Sequence, residues 1–518
     1  MISCAVLLLA LPSLMAPMDM DGALFYVSGL KILHGQVPYR DFLDLKPPGI
    51  YYIYATAIAL FGEHGWAIRL LDLLIQTATI ALLVAMIRRT TKSDRWALLS
   101  GVMYALLYFS QLFIYMAQVE CFANPLCIGI IWLLMKPRTT QRSIAIGLLI
   151  GGLFLLKTSF LAVAGVVVLV YLAEPEHGWK ARLKWTLSTA VGMAVVGAVF
   201  VGYLLMAGNF GDYGAMQQFV QGYASIQWAH PFQLVQTGIR EIPWYFSNTY
   251  SILFSLLTLA GIAGVILNST ARATASDPPL QQHALQLLRY STLIFLALLA
   301  TVAVEAKYLS WHFCRLFASG MILAGWGGAM LLQRLSQVHQ TLLGWGITGV
   351  VAAILLVFSP FTRYIHHNQG NYIFATKGEE SFDHYLQADS TSYRYAEYRA
   401  IGEYIRQHRT QGDHLFAASG AGAMAHFYAD DLPETKFYHT CFLIAPYAPQ
   451  QWRAEATAYL LTARPRFIMA QNDAMPHITG NDSTSLQLLL SLPGVDSLLS
   501  NSYRIVYRTS MTRLYQRN

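Results

Sequence analysis

Between residues 1 and 360 the chain returns repeatedly to apolar runs, many of them close to the roughly 20 residues that cross a hydrocarbon core. So many runs cannot all be hidden in one soluble core, so they commit the chain to a bilayer. Composition agrees, since 55% of the 518 residues are hydrophobic and only 12% are charged. An aromatic share of 13% excludes a disordered chain. The candidate spans are residues 2–17, 65–87, 96–116, 119–135, 143–156, 158–173, 184–206, 249–267, 289–304, 311–332 and 341–360, eleven in all. Lys157 interrupts the run from 143 to 173, which predicts a helical hairpin turning at a membrane surface. Residues 2–17 lack the basic flank of a signal peptide and are expected to form a retained helix.

The net charge of +7 is no signature of a nucleic-acid partner. Residues 361–518 hold 14 basic and 14 acidic side chains, so the whole excess lies among the apolar runs. There it sets topology. One set of loops carries thirteen basic residues, from Arg88 and Arg89 to Arg334, and the opposite set carries six. The thirteen are expected in the cytoplasm. The loop 18–64, the turns at Glu120 and Lys157, the loop 207–248, the turn 305–310 and everything after 361 then face outside. The five cysteines (Cys4, Cys121, Cys127, Cys314 and Cys441) have no zinc-ligand spacing and are expected as buried apolar residues.

Two domains are expected: a membrane domain over 1–360 and an extracytoplasmic α/β domain over 361–518. In the second, residues 395–409 read as a helix with Tyr395, Tyr398, Ile401 and Ile405 on one face. Residues 414–419 and 466–470 read as strands, and the last residues as a hairpin. Residues 268–288 read as a cytoplasmic linker.

The chemistry concentrates in the loop 18–64, which holds Asp19, Asp21, Asp41 and Asp44 beside Arg40 and Lys46. Ionisable groups this close to a membrane are costly and point to function. Leu24, Val27, Ile32 and Leu33 predict a short amphipathic helix lying along the interface. Asp19 and Asp21 have a spacing that can hold a divalent cation. Lys46-Pro47-Pro48 presents an ammonium on a stiff backbone, which suits a fixed anion such as a lipid phosphate. Glu120, Lys157, His312 and Arg315 come from other elements, and topology assigns Glu120, Lys157 and His312 to the same outer face.

These residues carry a resemblance. The run D-G-x-L-x-Y from Asp21, then G-x-x-P-Y-R-D-F-x-D-x-K-P-P-G ending at Gly49, resembles the first outer loop of GT-C glycosyltransferases. It is most like the bacterial relatives of protein O-mannosyltransferases and lipid A aminoarabinose transferases, glycosyltransferase families 39 and 83. A-Q-x-E ending at Glu120, the L-L-K run ending at Lys157, and Trp311-His312-Phe313 follow in the expected order. The resemblance implies a polytopic α-helical GT-C fold in the cell membrane. It implies transfer of a sugar from a polyprenyl-phosphate carrier to a glycan, lipid or protein acceptor outside. An acidic first-loop residue would be the general base, at Asp21 with Asp19 as the other candidate. Lys46 would bind the donor phosphate, helped by Lys157, His312 or Arg315. Arg40, Asp41, Asp44 and Glu120 are further outer-face candidates. The rival reading is a transporter or flippase of lipid-linked sugars, but charges crowded at one interface, no repeat and a large exported domain disfavour it.

Overall fold

The computed structural model describes residues 8, 10–174, 177–248, 251–270, 279–338, 360–378, 381, 384 and 395–518. Residues 2–7 and 9 of the expected span 2–17, nearly all of 341–360, and part of the linker 268–288 lie outside the described residues. The chain forms two compact units, each assembled from separate stretches. The first comprises Met1–Ala16, Ile68–Val199 and Val235–Ala375; the second comprises Pro17–Ala67, Phe200–Leu234 and Thr376–Asn518. The boundary expected near residue 361 falls within the helix Pro360–Lys377, which runs with the first unit up to Ala375.

The first unit is helical. Among the described residues four helices are long and apolar enough to cross a membrane: Gly65–Thr91, Trp179–Met206, Gln282–Glu305 and Ser310–Ser336. Pro231–Ser247 and Ile252–Leu267, taken together, would make a fifth. Shorter apolar helices cover Val119–Leu134, Thr140–Leu156 and Thr158–Leu172. The expected break at Lys157 is present, because its extended backbone (φ −160°) ends the helix Thr140–Leu156. The span expected over 96–116 is shorter than that, since its helix stops at Phe109. Side chains take over there: the Tyr108 hydroxyl accepts from the Ala117 N–H, and the Gln111 and Gln118 amides donate to the Leu107 and Ile114 carbonyls. Small residues let helices touch. A Cβ on Gly147 would lie 2.0 Å from the Thr189 carbonyl oxygen, and one on Gly192 would lie 2.2 Å from that of Ile144.

The second unit joins Pro17–Ala67 and Phe200–Leu234 to the C-terminal segment. Its sheet has the order β1-β2-β4-β3, from Leu415–Ala418 (β1), Phe467–Gln471 (β2), Tyr503–Arg508 (β3) and Thr512–Arg517 (β4). β1 and β2 are parallel and the rest antiparallel. The expected helix spans Tyr395–His408 and buries Tyr395, Tyr398, Ile401 and Ile405. The loop 207–248 contains the helices Phe210–Gln227 and Pro231–Ser247.

The helix expected along the membrane interface spans Met20–Leu33, but it is not amphipathic in the expected sense. Gly22 to Gly29 are all buried, whereas Leu33 is exposed. One flank meets the helix Gly49–Phe61, where a Cβ on Gly29 would lie 2.7 Å from the Ala55 nitrogen. The other flank meets Gly422–Ala429, with Tyr26 edge-on to Phe427 at 5.0 Å. Contact on both flanks is why polarity alone misassigns its environment.

Candidate functional site

In the first unit, four candidates from three elements meet. Glu120 lies in the first turn of Val119–Leu134, Lys157 at the break after Thr140–Leu156, and His312 and Arg315 in the 3₁₀ segment Ser310–Leu316. The fifth member is Glu305, which ends a long helix and which sequence reasoning missed. Lys157 Nζ lies 2.6 Å from Glu120 Oε1 and 2.7 Å from Glu305 Oε2. Arg315 donates to Glu120 Oε1 at 2.9 Å, to Glu305 Oε1 at 2.6 Å and to Thr301 Oγ1 at 2.7 Å. His312 Nδ1 is 3.6 Å from Glu305 Oε2. Asn124 ties the Arg315 segment down, donating to the Cys314 carbonyl and accepting from the Ala318 N–H.

Two glutamates thus face two cations in a buried setting, where pairing is what offsets desolvation. Lys157 and Arg315 were expected as phosphate ligands, but their positive charge is matched by Glu120 and Glu305. Ligand atoms of Glu120, Glu305 and His312 lie within 4.8 Å of one another, the spacing of a metal site. Lys157 and Arg315 already bind Glu120 Oε1 and both Glu305 carboxylate oxygens, so the chain's own cations compete for the group.

The other six candidates lie in the second unit. Asp19 is the N-cap of Met20–Leu33, and its Oδ1 accepts from the Gly22 N–H at 3.1 Å. Asp21, in the first turn, is half-buried and makes no hydrogen bond or ion pair among the described residues. Arg40 pairs with Asp41 at 2.9 Å and donates to the Ala207 carbonyl. Asp41 Oδ2 accepts from the Val37 N–H at 2.7 Å, so both side chains brace the loop. Burial would raise the Asp41 carboxyl, but the Arg40 hydrogen bond and the Val37 N–H hold it below the usual range.

Lys46 is held differently. Its carbonyl accepts from the hydroxyls of Tyr39 and Tyr51, both at 3.1 Å. Pro48 caps the helix Gly49–Phe61 that follows. The ammonium lies 4.7 Å from the centre of the Phe25 ring and 3.8 Å from Asp44 Oδ2. Asp44 is buried, its Oδ1 accepting from the Leu45 N–H while Oδ2 has no hydrogen-bond partner. The arrangement is a directed cation beside a carboxylate on an aromatic floor.

The sequence profile of the dolichyl-phosphate-mannose-protein mannosyltransferase family matches residues 45–202. ArnT from Cupriavidus metallidurans, solved bound to undecaprenyl phosphate, aligns over 99% of this chain and 97% of its own, with a TM-score of 0.55 at 16% identity. The chain has the GT-C fold. The apo form of the same ArnT aligns over 99% of this chain and 96% of its own, with a TM-score of 0.55 at 14% identity. No curated protein sequence matches significantly.

The profile match within the GT-C fold takes in Lys46, Glu120 and Lys157 and leaves Asp21, Glu305, His312 and Arg315 outside. Glu305 had a faint signal, as an acid at the end of an apolar run shortly before His312. Lys31 had none: it is fully buried, with Nζ donating to the carbonyls of Asp41 and Thr435.

Proposed function

We propose that this protein is a membrane glycosyltransferase that moves a sugar from a polyprenyl-phosphate carrier to an acceptor on the extracytoplasmic side. The reading places it in the cell (inner) membrane with residues 361–518 outside. The observation that carries it is Lys46, whose carbonyl is fixed by two tyrosines and whose ammonium is aimed by a Pro-Pro turn. The GT-C fold and the family profile beginning at residue 45 support the reading, as does the ArnT bound to undecaprenyl phosphate.

In this mechanism Lys46 binds the donor phosphate and stabilises the charge that grows on it as the sugar's C1–O bond breaks. The phosphate leaves with that electron pair. The acceptor oxygen attacks C1, and Asp21 takes its proton. Asp21 suits the role because it carries no other bond, whereas Asp19 is committed to the helix cap. The Glu120–Lys157–Glu305–Arg315 network, with His312 beside it, fixes the ends of four elements. The test is incubation of the purified full-length protein with a panel of undecaprenyl-phosphate sugars. Release of free undecaprenyl phosphate that depends on Lys46 and Asp21 is expected; a protein that releases none with any donor is not this enzyme.

A further inference from the structure

His414 immediately precedes β1, and its carbonyl accepts from the Phe467 N–H at the start of β2. Its ring is set between two carboxylates. Nε2 lies 3.1 Å from Glu434 Oε1, and Nδ1 lies 3.5 Å from Asp431 Oδ1. A neutral imidazole has one N–H and one lone pair, so one nitrogen would turn its lone pair on a carboxylate. Only the imidazolium offers an N–H to both. Asp431 needs that charge, because it is buried. Its other oxygen meets His426 Nδ1 at 2.8 Å, while His426 Nε2 is shut off from solvent and has no hydrogen-bond partner. That pattern fits a neutral His426 giving its one N–H to Asp431, which leaves the positive charge to His414.

Residues 431–437 belong to no helix or strand, so side chains hold them. Glu434 Oε2 accepts from the Tyr459 hydroxyl at 3.0 Å, and Lys436 pairs with Glu455 at 2.7 Å, both partners lying on the helix Gln450–Ala463. The Thr435 carbonyl accepts from Lys31, which also holds the Asp41 carbonyl. Glu434, Thr435 and Lys436 line a cleft of about 280 Å³ together with Lys31, Arg40 and Asp41.

We propose that His414 is a pH-sensitive clamp: its imidazolium bridges Asp431 and Glu434 and fixes residues 431–437 as a wall of this cleft, and loss of the proton frees that wall. The groups facing the ring are Asp431 and Glu434 on the segment and Asp413 beside it, with His426 behind Asp431 and Tyr459 behind Glu434. Contact with Asp431, then the charges of Glu434 and Asp413, hold the imidazole above its usual 6.5 against the cost of burial. A raised folded value means that the clamp is complete below pH 6.5 and is lost as pH rises through that value. The clamp is independent of the glycosyltransferase reading.

Hydrogen exchange of the purified full-length protein between pH 5.5 and 8.5 tests it, read on peptides covering 431–437 and corrected for the intrinsic pH dependence of exchange. The wild-type segment should step from slow to fast exchange as pH rises, about tenfold for each unit by which the fold raises the imidazole pKa. His414→Gln should exchange at the fast level at every pH. Glu434→Gln should move the step to lower pH, since one of the two carboxylates that favour imidazolium is gone. The Glu434 side chain is 45% exposed, so this variant keeps the test open even where His414→Gln does not fold. A wild-type segment without a step, a full step surviving in His414→Gln, or an unmoved step in Glu434→Gln each overturns the clamp.

Discussion

Asp19 and Asp21 are separated by a single residue, yet the helix between Met20 and Leu33 gives them opposite states. Asp19 spends its Oδ1 on the Gly22 N–H at 3.1 Å, while Asp21 is left without a hydrogen bond among the described residues. Asp21→Asn is therefore expected to cut sugar transfer by about 10²–10⁴-fold, as loss of a positioned base does, with the fold intact. Asp19→Asn should keep most activity, because asparagine is an equally good N-cap. Asp19→Ala should lower stability by about 1 kcal/mol instead. Steady-state rates and thermal unfolding of the three variants separate these outcomes, and an active Asp21→Asn beside an inactive Asp19→Asn would exchange the two roles.

Lys46 gives a prediction about binding. Replacing it with alanine removes a charged hydrogen bond worth roughly 1.5–3 kcal/mol. Affinity for undecaprenyl phosphate should therefore fall about ten- to a hundredfold. Lys46→Arg should recover part of it, since the charge remains but the fork has another shape. Tyr39→Phe should weaken binding less, as Tyr51 still holds the Lys46 carbonyl. Titration with labelled undecaprenyl phosphate reads all three, and unchanged affinity in Lys46→Ala removes Lys46 from the site.

The network in the first unit predicts a stability effect. Glu305→Gln leaves Lys157 and Arg315 sharing one carboxylate, and breaking such a buried pairing costs about 3–5 kcal/mol. Glu305→Gln combined with Lys157→Gln restores charge balance with Glu120 and Arg315 and should recover part of that loss. Thermal unfolding in one detergent tests it. Strict additivity of the two substitutions would mean the groups are not coupled.

What the sequence conceals is mostly long-range. Helix 395–409, the two parallel strands β1 and β2, and the break at Lys157 are legible because each follows from local periodicity or one charge in an apolar run. Phe210–Gln227 is not, since three glycines and four glutamines dilute its pattern into that of a loop. Motif spacing marks Asp19 and Asp21 equally, and only the backbone of the cap separates them. Glu305 gains its meaning from Lys157 and Arg315 on other elements, and Lys31 from the Thr435 carbonyl, hundreds of residues later. Such partners are set by packing, which no single stretch encodes.

Lys31 supplies a pH dependence whose sign can be worked out. It is fully buried, bonded to the Asp41 carbonyl at 2.9 Å and the Thr435 carbonyl at 3.2 Å, with the Tyr438 ring 5.4 Å away. Burial lowers its pKa from 10.5 to about 8, against the opposing pull of Asp41 and Asp431. Below pH 8 both folded and unfolded chains hold the proton, so Lys31 adds no slope. Between about 8 and 10.5 the unfolded chain keeps a proton that the folded chain has released. Stability therefore rises with pH through that window. Buried tyrosines such as Tyr438 titrate above their usual range, so their opposing effect begins only near pH 10 and above. Denaturation midpoints between pH 7 and 9.5 should climb in the wild-type chain and climb distinctly less in Lys31→Met. The comparison is one of slopes, which the loss of two carbonyl contacts at every pH does not alter. Equal slopes in the two chains would mean that Lys31 stays protonated in the fold throughout this range.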